Sequence, residues 1–472
     1  MYNPLNLSKN IAYMLQSAEY DVNNYFRWLR RNMAKPAKQY RGSLTRTKVS
    51  TFSRIGVMAV SLSIIITILV MIYIAVTKSS LFIAAIALLL FIAYPYIVGL
   101  AIVLPLYFVS KLLLPRKSQT QIKQATELFS RSGAIKIAVC GSYGKTSMKE
   151  MLGTVLSMQK NVAITVDNKN VVSEHLRFAN KLTGQEEVLV VEFGEGGPGD
   201  VYRLSQMLKP DIAVITGIAP AHLDKYKSIE QITEDIFSVS DTAELVFVNS
   251  DSQYSQKSTK KTNVQYSQRG TNEISVQNVD CSVEGLMFRA RSKRFEYKVS
   301  TKLLGRHHIG PICAVIAIAE QLNIEPDKIE KGLSKLEPHE HRMKPRELSS
   351  GAYIIDDTYN GNIDGIKAGL SLLKELSAKR KWYVTPGLVD QGAYTERVHV
   401  DIGEQIAQCA PDVVVLMKNS VAKYITKGLE NGKYKGDLRI ISDPYDFYLH
   451  IDNMLAAGDI ALMQNDWPDN YS

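Results

Sequence analysis

Short apolar runs of strand length alternate with stretches of helical pattern along most of the chain beyond residue 130. The first set is IKIAV (135–139), VLVVEF (188–193), DIAVIT (211–216) and LVFVN (245–249). Such alternation is typical of βαβ units, in which parallel strands are buried between layers of helices. We therefore predict an α/β domain built around a parallel sheet.

A second set of alternating apolar runs and helical stretches follows a segment with a different pattern. Residues 273–303 contain ISVQNV, LMFRAR and FEYKVS, which indicate short antiparallel strands, and residues 309–322 have a helical pattern. Apolar runs then recur at residues 352–357, 381–386, 412–417, 438–442 and 459–464. This set predicts a second α/β domain, of Rossmann-like type, with the boundary near residues 335–345.

Two long uncharged runs in the N-terminal quarter predict a membrane anchor. Residues 55–76 form a run of 22, and residues 81–110 form a second run that contains Pro95 and Pro105. About 20 apolar residues cross a bilayer as a helix. Lys and Arg collect before the first run and after the second, as they do on cytoplasmic flanks. We predict a cell-membrane protein with two spans and with both termini and the two α/β domains in the cytoplasm; two buried helices of a soluble core are the alternative.

Four segments are therefore predicted: a basic amphipathic cytoplasmic segment (1–52), a two-helix transmembrane hairpin (53–115), a central α/β domain (125–337) and a C-terminal α/β domain (338–472). The first segment mixes aromatic and basic residues. They suit either a helix that lies on anionic lipid or a solvated helix that packs on the α/β domains.

Charge and cysteine usage exclude two classes of protein. Residues 1–124 carry 15 Lys and Arg against 2 Asp and Glu, so the other 348 residues have a net charge of −4 although the chain totals +9. The large C-terminal part has no positive excess to set against phosphates, which argues against a nucleic-acid partner. Cys140, Cys281, Cys313 and Cys409 show no CxxC spacing, which favours a reducing compartment without disulfides or a cysteine-type zinc site.

The sharpest local signal is a glycine-rich loop between the strand IKIAVC and the helical stretch MKEMLGTVLSM. Its residues are Gly141, Ser142, Tyr143, Gly144, Lys145, Thr146 and Ser147. Glycines let backbone N–H groups close around phosphate oxygens at a helix N-terminus, Lys145 supplies a positive charge, and the Thr146 hydroxyl suits Mg²⁺. The general phosphate-loop pattern places its first glycine two residues earlier, at Val139. The loop nevertheless predicts nucleotide binding, because a strand precedes it and a helix follows it.

Further polar residues follow other predicted strands. Glu192 ends VLVVE, and His222 comes shortly after DIAVIT. Ligands gather at the carboxyl ends of parallel strands, so this carboxylate and imidazole suit a divalent cation; satisfied loop residues or helix caps are the alternative. In the second domain the strand AYII leads into Asp356, Asp357, Thr358, Tyr359, Asn360, Gly361 and Asn362. This cluster predicts either a site for ribose hydroxyls or cations, or a turn.

Together these residues resemble the Mur ligase family, the ATP-dependent ligases that build the peptide of bacterial peptidoglycan. The resemblance covers residues 131–472. GSYGKTS is similar to the family's shortened phosphate loop, and VEFGEGGPGD and ITGIAPAHLDKYKS are similar to its two metal-binding elements. LLGRHHIGP resembles its GRHN segment, and HRM (341–343) resembles the segment that carries its arginine at the domain junction. DDTYNGN is similar to the DDSYNANP element of the member that adds D-alanyl-D-alanine.

The resemblance implies a mechanism and a set of site residues. ATP would phosphorylate a carboxylate of a cell-wall precursor peptide, and an amino-acid or dipeptide amine would attack the acyl phosphate. By carry-over, Lys145, Glu192, His222 and Arg342 are catalytic, and Thr146, Glu192 and His222 hold Mg²⁺. Arg342 reaches the ATP phosphates. Asp357, beside Asp356, binds the ribose, and His307 with His308 contacts the adenine. The substrate-side residues are Asn168, Asn170, Tyr359, Asn360 and Asn362.

The sequence departs from the family pattern at four places. Ile236 stands where the family has a carbamylated lysine, GRHH replaces GRHN, and the ending GDIALMQNDWPDNY replaces a KGS-type ending. The family's N-terminal UDP-binding domain is absent. The leading hypothesis is a membrane-anchored ligase that adds D-Ala-D-Ala or a similar amine to a peptidoglycan precursor, with ATP, Mg²⁺ and membrane lipids as partners. The alternatives are the same chemistry on a lipid-linked or other cell-envelope polymer, or a non-catalytic membrane-bound nucleotide-binding regulator.

Overall fold

The structure is a computed structural model that describes residues 48–90, 97, 101, 119–166, 170–219, 225–255, 264–359, 361–388 and 394–465. Three predicted site residues, Asn168, His222 and Asn360, lie outside the described residues, as does the predicted segment 1–52 except for residues 48–52. The chain divides into two compact units, Met1–Thr120 and Gln121–Ser472.

The first unit contains helix α1 (Lys48–Thr77), and residues 81–90 are also helical. Most of the second predicted span, residues 91–96, 98–100 and 102–110, lies outside the described residues. Among all described residues, no helix combines the length and the apolar character needed to cross a membrane. The prediction of a two-span hairpin is therefore unsupported, and the predicted location in the cell membrane is wrong. Membrane lipids as partners have no support either.

A ten-stranded sheet forms the centre of the second unit. Its strands are β1 (Ile135–Cys140), β2 (Val162–Ile164), β3 (Val188–Glu192), β4 (Ile212–Ile215), β5 (Leu245–Asn249), β6 (Val264–Ser267), β7 (Gly270–Thr271), β8 (Ser275–Ser282), β9 (Gly285–Arg291) and β10 (Glu296–Thr301). They lie in the order β10-β9-β8-β7-β6-β5-β4-β1-β3-β2. Strands β1 to β6 pair in parallel, and β6 to β10 pair antiparallel, so both predicted pairings are confirmed.

Helices cover both faces of this sheet. They are the helical residues 119–131, α2 (Lys145–Leu156), α3 (Val172–Ala179), α4 (Asp200–Leu208), α5 (Ile229–Phe237), α6 (Ile309–Gln321) and α7 (Pro326–Leu333). Side chains alternate along a strand, so Ile137 and Val139 pack with Leu152 of α2, whereas Ala138 and Cys140 pack on the opposite face with Leu204 of α4. Burial on both faces explains why the parallel strands read as unbroken apolar runs.

A six-stranded sheet follows along the chain. It consists of β11 (Lys344–Glu347), β12 (Tyr353–Asp357), β13 (Arg380–Thr385), β14 (Val413–Met417), β15 (Asp437–Ile441) and β16 (Asp459–Gln464), with the helices α8 (Ile363–Glu375), α9 (Thr395–Cys409), α10 (Ala422–Asn431) and α11 (Pro444–Met454). The order is β11-β12-β16-β13-β14-β15, and every pair except β11–β12 is parallel. Tyr383 packs on the face that α8 covers, and Trp382 packs on the face that α11 covers. The predicted α/β fold is confirmed, while the predicted domain bounds stay predictions.

Candidate nucleotide-binding and ligase site

The glycine-rich loop lies where the order of the parallel strands reverses. Strand β1 is flanked by β3 and β4, and in open parallel sheets such a reversal opens a crevice at the carboxyl ends of the strands. Gly141 (φ 141°) and Gly144 (φ 76°) both have positive φ, and a Cβ on Gly141 would lie 2.3 Å from Thr216 Oγ1. Glycine is therefore required at position 141 both for the backbone conformation and for space.

The N-terminus of α2 offers donors to an anion. Gly144 is the N-cap residue, and no side chain caps the helix. The first N–H groups of a helix lack internal partners and attract negative charge. The N–H of Ser142 donates to the Gly217 carbonyl (2.7 Å), while the buried hydroxyl oxygen of Ser142 has no hydrogen-bond partner among the described residues. This loop therefore fits a phosphate group.

Lys145 is held by a carboxylate that the sequence analysis missed. Its ammonium nitrogen lies 2.8 Å from Oε2 and 3.0 Å from Oε1 of Glu195, and it also donates to the Gly141 carbonyl. Both side chains of the ion pair are about nine-tenths buried. Glu195 follows Glu192 by three residues, in the glycine-rich segment after β3, and its position after a strand end is the signal that could have found it.

Glu192 gathers donors at the end of β3 and is 1% exposed. Thr146 Oγ1 donates to its Oε2 (3.1 Å), and Asn170 Nδ2 donates to its Oε1 (3.4 Å). Lys149, one helical turn after Lys145, places its ammonium nitrogen 3.5 Å from Glu192 Oε2. The structure thus brings together Thr146, Glu192 and Asn170, three residues predicted from the sequence.

The side-chain oxygens of Thr146 and Glu192 are compatible with Mg²⁺ but do not by themselves complete its coordination. Within the described part of the chain, no group of three or more His, Cys, Asp or Glu side chains could hold a metal ion. Mg²⁺ usually keeps several waters and binds one or two carboxylates together with substrate phosphates. Thr146 and Glu192 beside a phosphate loop fit that description. Ile236, which stands where the resemblance expects a carbamylated lysine, is fully buried in the core around α5.

A buried imidazole lies behind Glu192. His175 of α3 is fully buried, and its Nε2 lies 2.9 Å from the Glu192 carbonyl oxygen. Burial lowers the pKa of His175 to about 4, so the ring is neutral at pH 7 and donates to that carbonyl. His175 therefore helps to fix the end of β3, on which the position of Glu192 depends.

Tyr143 turns away from the phosphate loop toward the C-terminal part of the chain. Its phenol ring lies against Gly217, where a Cβ would come within 2.3 Å of the ring carbon Cζ. Its hydroxyl faces Ser252 and Asp364, and Asp364 belongs to the first turn of α8. Burial first and then the Asp364 carboxylate raise the pKa of Tyr143 above its ordinary value. Tyr143 thus connects the loop to the second sheet domain.

The GRHH segment forms a short 3₁₀ turn, Arg306–His308, before α6. The rings of His307 and His308 lie 4.0 Å apart between centroids. Burial lowers the pKa of His307 to about 4 and that of His308 well below its ordinary value, so both rings are neutral at pH 7. Arg306 pairs with Glu375 of α8 at 2.6 Å, which ties this turn to the second domain. The two neutral imidazoles, tilted by 42° to each other, suit contact with a flat aromatic base.

The junction between the two sheets carries the predicted arginine. The Arg342 guanidinium carbon lies 4.6 Å from the centroid of the Tyr359 ring, and His341 Nδ1 lies 2.8 Å from Asp356 Oδ2. Thr358 Oγ1 also donates to Asp356 Oδ1 (2.7 Å). Contacts at the junction therefore bring HRM and DDTYNGN together, although the two motifs are separate in the sequence.

Asp357 is held between the ends of two neighbouring strands. Gln464 Nε2, at the end of β16, donates to Asp357 Oδ2 (2.8 Å), and the Asn465 N–H donates to the Asp357 carbonyl (3.0 Å). Burial raises the pKa of Asp357 to about 7, against the hydrogen bond from Gln464 and the nearby Arg342 charge. Gln464 and Asn465 were not predicted as site residues, although their position at a strand end follows the rule that identified Glu192.

Asn362 has a structural contact of its own. Its Oδ1 accepts a hydrogen bond from the Gly365 N–H (2.8 Å) and so caps α8. N-cap positions favour Asn for this reason. Its predicted contact with substrate stays a prediction, as does that of Tyr359.

Comparisons with known proteins agree with this geometry. The model of the Mur ligase middle domain matches residues 139–319, and that of the Mur ligase glutamate ligase domain matches residues 341–464. The chain is 30% identical, over 292 residues, to the UDP-N-acetylmuramoyl-tripeptide–D-alanyl-D-alanine ligase of Buchnera aphidicola subsp. Baizongia pistaciae, a match that covers 60% of this chain and 63% of that protein. The chain thus spans less than two thirds of the length of this relative and of its Escherichia coli counterpart.

Solved structures share the fold. MurF from Acinetobacter baumannii superimposes with a TM-score of 0.65 at 19% identity, over 74% of this chain and 77% of that one. MurF from Thermotoga maritima, solved in complex with ADP, gives a TM-score of 0.64 at 22% identity, over 74% and 80%. The two matched domain models belong to one family and together take in well over half of the chain. The chain therefore belongs to the Mur ligase family.

Proposed function

We propose that the chain is an ATP-dependent amide-bond-forming ligase of peptidoglycan biosynthesis that joins D-alanyl-D-alanine, or a similar amine, to the peptide of a cell-wall precursor. The observation that carries the proposal is the phosphate loop, with buried Lys145 and Glu192, whose Tyr143 faces Asp364 in the helix that follows the DDTYNGN element. The relatives from Buchnera aphidicola and Escherichia coli are named UDP-N-acetylmuramoyl-tripeptide–D-alanyl-D-alanine ligases. Residues 125–337 would form the ATP-binding domain and residues 338–472 the second domain.

The residues of the loop fit ATP. Positive φ at Gly141 and Gly144, the uncapped N-terminus of α2 and the unpartnered hydroxyl of Ser142 make a cradle for phosphate oxygens. Lys145 would oppose their negative charge. Tyr143, Thr146 and Ser147 would complete the loop that binds the nucleotide. Mg²⁺, held by Thr146 and Glu192 with His222 as a further ligand, would supply Lewis-acid neutralisation of the phosphates.

The remaining residues would hold the rest of the nucleotide and the substrates. Arg342 would reach the phosphates from the junction, Asp356 and Asp357 would bind the ribose, and His307 and His308 would contact the adenine. The precursor and the amine would lie near Asn168, Asn170, Tyr359, Asn360 and Asn362. Arg342 now lies over the ring of Tyr359 (4.6 Å), a contact that is weak enough to exchange for a phosphate.

The proposed reaction has two steps. A carboxylate oxygen of the precursor peptide attacks the γ-phosphorus of ATP, the bond to the bridging oxygen breaks, and ADP leaves. The amine then attacks the carbonyl carbon of the acyl phosphate, a proton is lost, and phosphate leaves as the amide forms. Lys145 would offset the charge that builds on the phosphoryl oxygens, because a buried cation acts strongly where water is excluded. Two domains that meet around the site would keep water from hydrolysing the acyl phosphate.

Substitution of Lys145 separates a ligase from a nucleotide-binding regulator. We expect Lys145→Met to lower ADP release, measured with precursor peptide and D-Ala-D-Ala present, by roughly 10²–10³-fold, the usual effect of removing one charge-stabilising group. The matched control is Lys293→Met, because Lys293 is 80% exposed and pairs only at the surface with Glu273. If the unmodified protein releases no ADP with these substrates, the ligase proposal fails and the regulator is favoured.

A further inference from the structure

The Lys145 ammonium group uses all three of its hydrogen-bond donors in contacts within the protein. Two N–H groups point to the two carboxylate oxygens of Glu195, at 2.8 and 3.0 Å, and the third donates to the Gly141 carbonyl. A lysine ammonium group has three donors and no more. Lys145 can therefore bond a phosphate oxygen only after it gives up one of these acceptors.

Glu195 is the acceptor that a phosphate would replace. The Gly141 carbonyl belongs to a loop whose backbone is fixed by Thr216 and by the Ser142–Gly217 hydrogen bond. Glu195 presents a side-chain carboxylate, which can rotate without a change of the backbone and has the same charge sign as a phosphate. Exchange of one anionic acceptor for another keeps the buried ammonium group paired, whereas loss of the carbonyl contact would require the loop itself to move.

The released carboxylate then needs another cation. Glu195 is 6% exposed, and an unpaired carboxylate at that depth is strongly disfavoured. A nucleotide without metal would make this worse, because its phosphates would place further negative charge beside the carboxylate. A nucleotide that carries a divalent cation brings the missing positive charge, and Glu192, which lies three residues away in the chain, already suits that cation.

We propose that Glu195 exchanges Lys145 for the Mg²⁺ that arrives with the nucleotide, and that this exchange makes tight nucleotide binding depend on the metal. The inference rests on the proposed nucleotide site. It assigns to Glu195 a role in ligand binding that the phosphate-loop pattern alone does not give.

The test is the binding of ADP, measured by titration calorimetry in EDTA and in excess Mg²⁺, for the full chain and for Glu195→Gln. Glutamine keeps the shape of the side chain but removes its charge. We expect Glu195→Gln to bind metal-free ADP about tenfold more tightly than the unmodified protein, and to gain at most about threefold from Mg²⁺. Glu195→Asp, which keeps the charge, should retain most of the metal dependence.

Glu127→Gln is the matched control, because Glu127 is 60% exposed and its ion pair with Arg131 lies at the surface. It should behave as the unmodified protein. The proposal is overturned if Glu195→Gln leaves the affinity for metal-free ADP unchanged, or if it weakens binding equally with and without Mg²⁺. Absence of ADP binding by the unmodified protein in Mg²⁺ would instead overturn the nucleotide site itself.

Discussion

Asp357→Asn should change how the stability of the chain depends on pH. The folded carboxyl group has a pKa of about 7, raised by burial from an ordinary value near 3.8. Between these two values the folded state holds a proton that the unfolded chain has lost. The free energy of unfolding therefore falls as the pH rises from about 4 to about 7, and the loss is complete above the folded pKa. Asparagine cannot ionise, so the variant should lack this fall.

The magnitude follows from the two pKa values. Their difference corresponds to roughly 4 kcal/mol, because one pKa unit is about 1.4 kcal/mol. Asp357 keeps partial exposure to water, so we take about 2 kcal/mol as the expected effect. Near pH 4 the loss has only begun, the folded carboxyl group is protonated and resembles an amide, and the two proteins should have nearly equal stability. At pH 8 Asp357→Asn should be more stable by about 2 kcal/mol.

Thermal unfolding followed by circular dichroism from about pH 4 to about pH 8 provides the assay. Asp437→Asn is the control, because it makes the same chemical change at a half-exposed position on β15 beside Arg439. The reasoning is refuted if the difference between Asp357→Asn and the unmodified protein does not change with pH. It is also refuted if the variant is the less stable protein at pH 8, since that would mean that the ionised carboxylate is stabilised by Arg342.

Two further predictions concern the phosphate loop. Gly141→Ala should weaken ADP binding, measured by titration calorimetry, at least tenfold, because the added Cβ would collide with Thr216 and alanine is strained at this positive φ. Gly133→Ala is the control and should leave the affinity unchanged, because no atom lies within 4 Å of its added Cβ. Equal affinities of the two variants would contradict this prediction. Tyr143→Phe should lower the free energy of unfolding by about 1 kcal/mol in urea denaturation, because it removes the hydroxyl that faces Asp364; an unchanged midpoint would show that this hydroxyl contributes nothing.

The sequence predicts the strands well, and for a physical reason. Strands that are buried on both faces need continuous apolar runs, so residues 245–249 could be identified to the residue as β5. The phosphate loop could be identified because its glycines, Lys145 and Thr146 are adjacent in the chain. The family resemblance names Thr146 and Glu192 as ligands of one Mg²⁺; their side chains are hydrogen-bonded to each other, and the metal role stays a prediction.

What the sequence does not reveal depends on contacts between distant residues. Glu195 lies 50 residues from Lys145, and Gln464 lies 107 residues from Asp357, so neither pair belongs to a local pattern. The cap formed by Asn362 could have been predicted, because Asn before a helix is a common N-cap. The membrane location is predicted from the length of two apolar runs and their basic flanks, whereas among the described residues no helix is long and apolar enough to cross a membrane.

The central claim is that the chain forms an amide bond at the expense of ATP. The most direct measurement is mass spectrometry of the product after incubation with ATP, Mg²⁺, D-Ala-D-Ala and the UDP-linked tripeptide precursor, together with quantification of ADP. We predict a product whose mass equals that of the two substrates less one water, formed in a one-to-one ratio with ADP. ADP release without that product, or no reaction in the presence of all four components, would contradict the claim.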